Sequence, residues 1–207
     1  MEKTDFKPGN MLYPLPAVMV SCGYGKFTPN ILTVAWTGTV CTNPPMVYIS
    51  VRPSRHSYDI IAETREFVIN LTTEELARAM DKCGVRSGRD LDKWADLKLT
   101  KAPSKEVNCP SIEESPVNIE CKVTDIIKLG SHDMFLAEVV NVRVDKSLLD
   151  DRNSLRLEKA GLIAYSHGKY HALGKILGSF GYSVRKKPMG KTSKKKMKNP
   201  KKHSKNA

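Results

Sequence analysis

Apolar and polar positions alternate with a clean period of two in one stretch of this chain, and short apolar runs recur elsewhere. In Val117-Asn118-Ile119-Glu120-Cys121-Lys122-Val123-Thr124 the odd positions are apolar and the even ones polar, which predicts a half-buried strand. Gly130-Ser131-His132-Asp133 then turns the chain into a second arm, Met134–Val144, so the two predict a long antiparallel hairpin. This arm is apolar on both faces over Phe135–Val140, as expected of a barrel wall that meets a partner subunit or a covering helix. Ile31–Val40, Met46–Val51 and Phe67–Leu71 are rich in β-branched and aromatic residues and predict three more strands; Ala17–Cys22 and Leu162–Tyr165 predict shorter ones.

Helical spacing is rarer. Thr72 with Glu75 three residues on reads as a capping box, and Leu76, Ala77, Met80 and Cys83 share one face before Gly84, which predicts a helix stopped by that glycine. Tyr58–Thr64 has room for about two turns. Val85–Leu97, containing R-S-G-R-D-L-D-K-W, reads as a polar loop of the length that often carries function, and Leu148–Lys159 as a charged, solvated stretch.

Composition changes this picture mainly at the C-terminus. With 207 residues, 40% of them hydrophobic, the chain has enough apolar surface for one domain, placed at residues 1–184. The formal charge is +12, but residues 185–207 hold eleven of the 34 Lys and Arg residues and no acid, leaving 23 basic against 22 acidic residues in the body. That Lys-rich tail is expected to be disordered and to touch polyanions such as nucleic acid without reading bases, because it has no aromatic residue.

Five scattered cysteines with no CxxC pair predict reduced thiols, not a disulfide framework. No apolar leader and no run of about 18 apolar residues is present, so a soluble cytoplasmic protein is expected. Gly23-Tyr24-Gly25 lacks the third glycine of a dinucleotide fingerprint and Pro29 blocks the helix that should follow; Gly174–Gly181 imitates a nucleotide loop without the Lys-Ser/Thr end. No Ser-His-Asp grouping, zinc spacing or Walker loop can be read, which leaves hydrolase and metalloenzyme readings without support and no metal ligands to name.

Candidate chemistry collects after the second strand-like run. In Arg52-Pro53-Ser54-Arg55-His56-Ser57 the proline holds Arg52 out of the helical region, so the strand ends there and the chain turns. Ser54 or Ser57 is the expected N-cap of the following helix. Its free N–H groups, two guanidinium groups and two hydroxyls make a site suited to a phosphate monoester. A solvated basic turn is the alternative. His56, beside two arginines, is expected to stay neutral.

T-V-A-W-T-G, the N-P-P turn, S-V-R-P-S-R-H-S, E-F-V-I-N-L, I-E-C-K-V, G-S-H-D-M-F-L-A-E-V-V and Y-S-H-G-K-Y-H-A-L-G together resemble the flavin reductase (flavoredoxin-like) family of FMN-binding split-barrel proteins, from about Pro14 to Ser183. The resemblance implies a mainly β fold, an antiparallel Greek-key split β-barrel with peripheral helices, assembled as a homodimer. It further implies FMN with its phosphate at Arg52, Arg55, His56 and Ser57 and its ring along Thr33, Val34, Ala35 and Trp36, with Ser50 and Val51 beside it. A strand edge suits such a ring, which needs an apolar face and main-chain hydrogen-bonding groups, and Gly38 is expected to permit close approach. Asn70, Asp92 and Lys93 are expected near the cofactor.

His132 is expected where a nicotinamide donor approaches, to orient it or supply a proton. The residues alone also allow a core Trp36, an Asn70 that caps a turn, a surface Asp92-Lys93 ion pair and a solvated turn histidine. The implied activity is flavin reduction by NADH or NADPH, or electron transfer through bound FMN to a redox partner. The alternative from another class is a polyanion-binding protein acting through its tail, with the barrel as support.

Overall fold

The computed structural model of the chain describes residues 1–185, so the Lys-rich tail lies almost wholly outside the described residues. In order the strands are β1 (Leu15–Pro16), β2 (Val18–Cys22), β3 (Asn30–Val34), β4 (Thr37–Thr42), β5 (Pro45–Val51), β6 (Glu66–Leu71), β7 (Lys101–Ala102), β8 (Ser111–Ile112), β9 (Val117–Lys128), β10 (Asp133–Val144), β11 (Ile163–Ser166) and β12 (Lys169–Ala172). Three α-helices interrupt them: α1 (His56–Thr64), α2 (Ala77–Val85) and α3 (Lys93–Leu97).

Seven strands form one antiparallel sheet in the order β3-β2-β6-β9-β10-β5-β4. Its two edge strands, β3 and β4, are consecutive in sequence and separated only by Ala35 and Trp36. A chain that passes from one edge to the other in two residues forces the sheet to curl until its edges face each other. Across the resulting seam the Ser50 N–H donates to the Trp36 carbonyl at 2.9 Å. This is the mainly β split barrel expected from the sequence. The predicted single strand Ile31–Val40 is corrected to two: at Ala35 the run leaves β2 and swings across to pair with β5.

Inside the curl, Val18, Val20, Leu32, Val34, Val47, Ile49, Val51, Phe67, Ile69 and Phe135 are buried together, with Ile60 and Ile61 of α1 packed among them. Each such side chain contributes about 1.5–3 kcal/mol on burial. On the outer side of β2 and β3, Met19 and Ile31 pack with Met80 and Cys83 of α2, Trp94 of α3 and Ile112 of β8. β3 is therefore gripped from both faces, and its free edge is held at a fixed place.

Other expectations change in detail. The even positions of β9 are polar, but Asn118 and Glu120 are buried, because the segment between β7 and β9 crosses over them. Glu120 accepts hydrogen bonds from the N–H groups of Lys105 (3.0 Å) and Glu106 (2.6 Å) and from Asn141 Nδ2 (2.9 Å). The capping box does not form. Leu76 N–H donates to Thr73 Oγ1 at 3.3 Å, the helix starts at Ala77, and Gly84 lies within its last turn, where a Cβ would stand 3.1 Å from Thr33 Cβ. The predicted loop Val85–Leu97 closes in α3, capped by Asp92 Oδ1, which accepts from Trp94 N (3.0 Å) and Ala95 N (3.3 Å).

The chain divides into two compact units after Leu173; the described part of the second is irregular apart from a turn at Tyr182–Val184. All five cysteines are free. Among the described residues no helix is long and apolar enough to cross a membrane.

Candidate functional site

The seam of the barrel and the start of α1 meet at one place. β5 ends at Val51, Pro53 turns the chain, and α1 begins behind Arg55, whose extended backbone (φ −72°, ψ 137°) makes it the N-cap with no side-chain capping bond. Neither Ser54 nor Ser57 takes the expected capping role. Ser57, in the first turn, faces β3, where its Oγ accepts from Asn30 Nδ2 at 2.7 Å. Facing this turn are the last turn of α2 and the loop after it. The two are tied reciprocally: Arg55 Nη1 donates to the Gly84 carbonyl at 3.1 Å, and Arg89 Nη1 donates to the Ser54 carbonyl at 3.2 Å.

Between the two loops lies a cavity of about 270 Å³ lined by Arg52, Arg55, Arg86, Arg89 and Lys93, by Ser54, Ser57 and Ser87, and by Asn30, His56, Gly84 and Gly88. No carboxylate lines it. Gly88 is required here, since a Cβ would run into the Asn30 carboxamide. Lys93 is only 3% exposed, and its Nζ donates to the carbonyls of Ile31 (2.6 Å) and Cys83 (2.7 Å). Burial holds its pKa below the usual lysine range, with Arg55 pushing the same way. An ammonium has three donors, so one is left for the cavity. His56 is likewise pushed down, first by burial and then by Arg89 and Lys93.

This cavity opens into a second of about 500 Å³, with which it shares Leu32, Thr33, Arg52, Arg55 and Gly84. The second is walled by Val34, Ala35 and Trp36 at the seam, by Ser50 and Val51 of β5, and by His132, Val85, Tyr165 and Tyr170. β3 is an edge strand, so one side of its backbone is left unpaired by the ladder and flanks this space. The His132 ring lies 4.3 Å from the Trp36 ring, with Nε2 3.4 Å from Arg52 Nε and Nδ1 3.0 Å from Ser131 Oγ. A guanidinium only donates, so Nε2 accepts and the proton sits on Nδ1. Burial, then Arg52 and Arg55, lowers the His132 pKa and keeps the ring neutral.

The fold thus brings Thr33, Val34, Ala35, Trp36, Ser50, Val51, Arg52, Arg55, His56, Ser57, Lys93 and His132 around two joined cavities. Asn70 is placed elsewhere. It is fully buried: its Nδ2 donates to Met19 O (3.1 Å) and Ser21 Oγ (3.0 Å), while its Oδ1 accepts from Ile112 N and Asn118 Nδ2 (both 2.9 Å). Lys93 is buried against carbonyls and Asp92 caps α3, so the surface ion-pair alternative for this dipeptide does not hold. Gly38 makes room for the Tyr48 ring, which a Cβ would meet at 3.1 Å, and lines neither cavity.

Asn30, Arg86, Arg89, Tyr165 and Tyr170 line the cavities without having been expected there. The arginines had a signal in R-S-G-R, within a loop long enough for function. Asn30 had none, since a polar residue before an apolar run reads as a strand boundary.

Residues 11–174 match the family described as flavin reductase like domain. An uncharacterized protein of Archaeoglobus fulgidus is 34% identical over 131 residues, spanning 63% of this chain and 73% of that protein. Among solved structures, flavoredoxin of Desulfovibrio vulgaris (Miyazaki F) superposes with a TM-score of 0.83 at 30% identity, covering 89% of this chain and 100% of that one. Flavoredoxin from Methanosarcina acetivorans has the same fold, with a TM-score of 0.80 at 23% identity over 89% of this chain and 100% of that one.

Proposed function

Because this chain belongs to the flavin reductase like domain family over residues 11–174, we propose that it binds FMN across the two joined cavities and works as an oxidoreductase. It reduces that flavin with NADH or NADPH, or passes electrons through it to a redox partner. One observation carries this reading: four arginines and a buried lysine surround a cavity free of carboxylates, and that cavity opens directly onto an apolar wall beside an unpaired strand edge.

The donor set fits a flavin monophosphate. A phosphate monoester brings about −1.5 to −2 charges and three acceptor oxygens, which match guanidinium donors and the N–H groups at the start of α1. Arg52 and Arg55, shared by both cavities, hold the junction between phosphate and ring. The β3 edge offers main-chain donors and acceptors to the ring's polar rim, while Val34, Ala35 and Trp36 supply its apolar wall. When bound, the flavin supplies hydride and single-electron chemistry that no side chain here provides. His132, neutral and tied to Arg52, serves to orient and wall the open side; of the two roles expected for it, this one is supported by its tautomer.

A homodimer is part of the same reading. Met46, Tyr48, Met134 and Leu136 point away from the core on neighbouring strands β5 and β10 and are only partly covered within one chain. The test is optical: the purified protein, saturated with FMN, is mixed anaerobically with NADH, NADPH or dithionite. Bleaching by either nicotinamide establishes a reductase, bleaching by dithionite alone an electron carrier, and failure to retain any flavin contradicts both.

A further inference from the structure

The stretch from Gly174 to Val184, which imitates a nucleotide loop without its ending, carries a different pattern in the second unit. Ile176, Leu177, Phe180, Tyr182 and Val184 are all exposed, so these large apolar side chains have no cover among the described residues. The turn that presents them is built locally. Tyr182 N–H donates to the Ser179 carbonyl at 2.9 Å, Val184 N–H to the Gly181 carbonyl at 3.3 Å, and Arg185 Nη2 to the Phe180 carbonyl at 3.4 Å. Gly181 takes φ 76°, a conformation open to glycine at no steric cost. Gly178 leaves room for the Tyr182 ring, which a Cβ there would meet at 2.6 Å. Phe180 stands at the tip, fully exposed.

Charge is the second observation. The last acidic residue in the chain is Glu158, and from Arg185 onward the sequence adds eleven Lys and Arg residues. Apolar side chains on an exposed turn, followed by cations with no acid among them, are the two signals that together hold a protein on an anionic lipid surface. The apolar groups enter the headgroup layer, and the ammonium groups neutralise lipid phosphates. Tyr182 suits the depth at which the two meet, since its ring is apolar and its hydroxyl polar.

Other occupants satisfy one half of the pattern. A nucleic acid accounts for the cations and leaves the aliphatic side chains uncovered. A second copy of the chain covers the apolar turn but brings one run of eleven cations toward another.

We propose that the Phe180 turn docks this protein on an anionic membrane surface, assisted by the lysines that follow it in sequence. The attachment is peripheral, by insertion of side chains and not by a spanning helix. It is independent of what the barrel binds.

The test sediments the full chain with vesicles of pure phosphatidylcholine and of phosphatidylcholine mixed with phosphatidylglycerol, at about 0.1 M and about 0.5 M salt. Two full-length variants run beside it: Ile176→Ser with Leu177→Ser and Phe180→Ser, and Lys194→Gln with Lys195→Gln and Lys196→Gln. Ile176, Leu177 and Phe180 are exposed and line neither flavin cavity, so the serine variant should keep the wild-type thermal midpoint. Vesicles with phosphatidylglycerol should bind the full chain about a hundredfold more tightly than phosphatidylcholine alone. The serine variant should lose about tenfold or more at either salt, and the glutamine variant about tenfold or more at the lower salt only. Absence of a phosphatidylglycerol preference, or a serine variant that binds as the wild type does, would overturn the proposal. So would duplex DNA held more tightly than the vesicles, which assigns the cations to nucleic acid, or a serine variant of half the wild-type mass by light scattering, which assigns the turn to a second copy.

Discussion

Lys93 is costly to the fold as it stands, because its ammonium is buried against two carbonyls and, among the described residues, no carboxylate forms an ion pair with it. An anion in the cavity supplies the missing counter-charge. Lys93→Met is expected to weaken FMN by about tenfold or more while leaving riboflavin within about twofold, read by fluorescence titration. The pH dependence has a definite sign. The folded pKa lies below the ordinary value, so between the two the unfolded chain binds more protons and stability rises with pH. Thermal midpoints of the flavin-free protein should show this upward contribution on the alkaline side, and Lys93→Met should remove it.

Asn70 gives the opposite case, a polar side chain with every partner inside the protein. Asn70→Ala should cost about 2–4 kcal/mol in denaturant unfolding, since it strands Ile112 N–H and leaves Asn118 Nδ2 with only its bond to the Ile112 carbonyl, and the folded variant should keep its flavin affinity. The sequence could not separate these two residues. A polar group at a strand end looks the same whether it meets a ligand or a core, and a lysine in a polar loop gives no sign that its loop folds back onto β3. Arg52, Arg55 and Ser57 were readable because proline, guanidinium and hydroxyl groups crowd one turn.

Among the elements, β9 was legible from alternation, β3 to β6 from runs of β-branched and aromatic residues, and the hairpin of β9 and β10 from its turn residues. The medium facing each strand was not. Nothing local indicates that the segment before β9 covers Asn118 and Glu120, or that Ala35 and Trp36 carry the chain from one sheet edge to the other. Glu120 pins that covering segment through two backbone N–H groups and Asn141. Burial raises its pKa and these hydrogen bonds lower it by more, so the net shift is downward.

The Glu120 contribution to stability is therefore present above the unfolded carboxylate pKa and is lost as pH falls through the lower folded value. Glu120→Gln should destabilise the protein by about 1–3 kcal/mol near neutrality, with the gap to wild type closing in acid; a gap that stays constant with pH would mean the carboxylate charge is not what pins the segment.

For the molecule as a whole, the curled sheet accounts for where the cavities lie, and the two join at Leu32, Thr33, Arg52, Arg55 and Gly84. The inferred homodimer makes a separate prediction: light scattering should give twice the chain mass, and Leu136→Asp should shift it toward monomer. A monomeric wild-type protein would rule that assembly out. The central claim concerns the basic cavity, and its most direct test is the ratio of riboflavin to FMN dissociation constants, in the intact protein and in the Arg52→Ala, Arg55→Ala double variant. The intact protein should prefer FMN by about a hundredfold or more, and the double variant should lose most of that preference while riboflavin binding barely changes. Equal losses for both ligands, or an unchanged preference, would put the phosphate somewhere else.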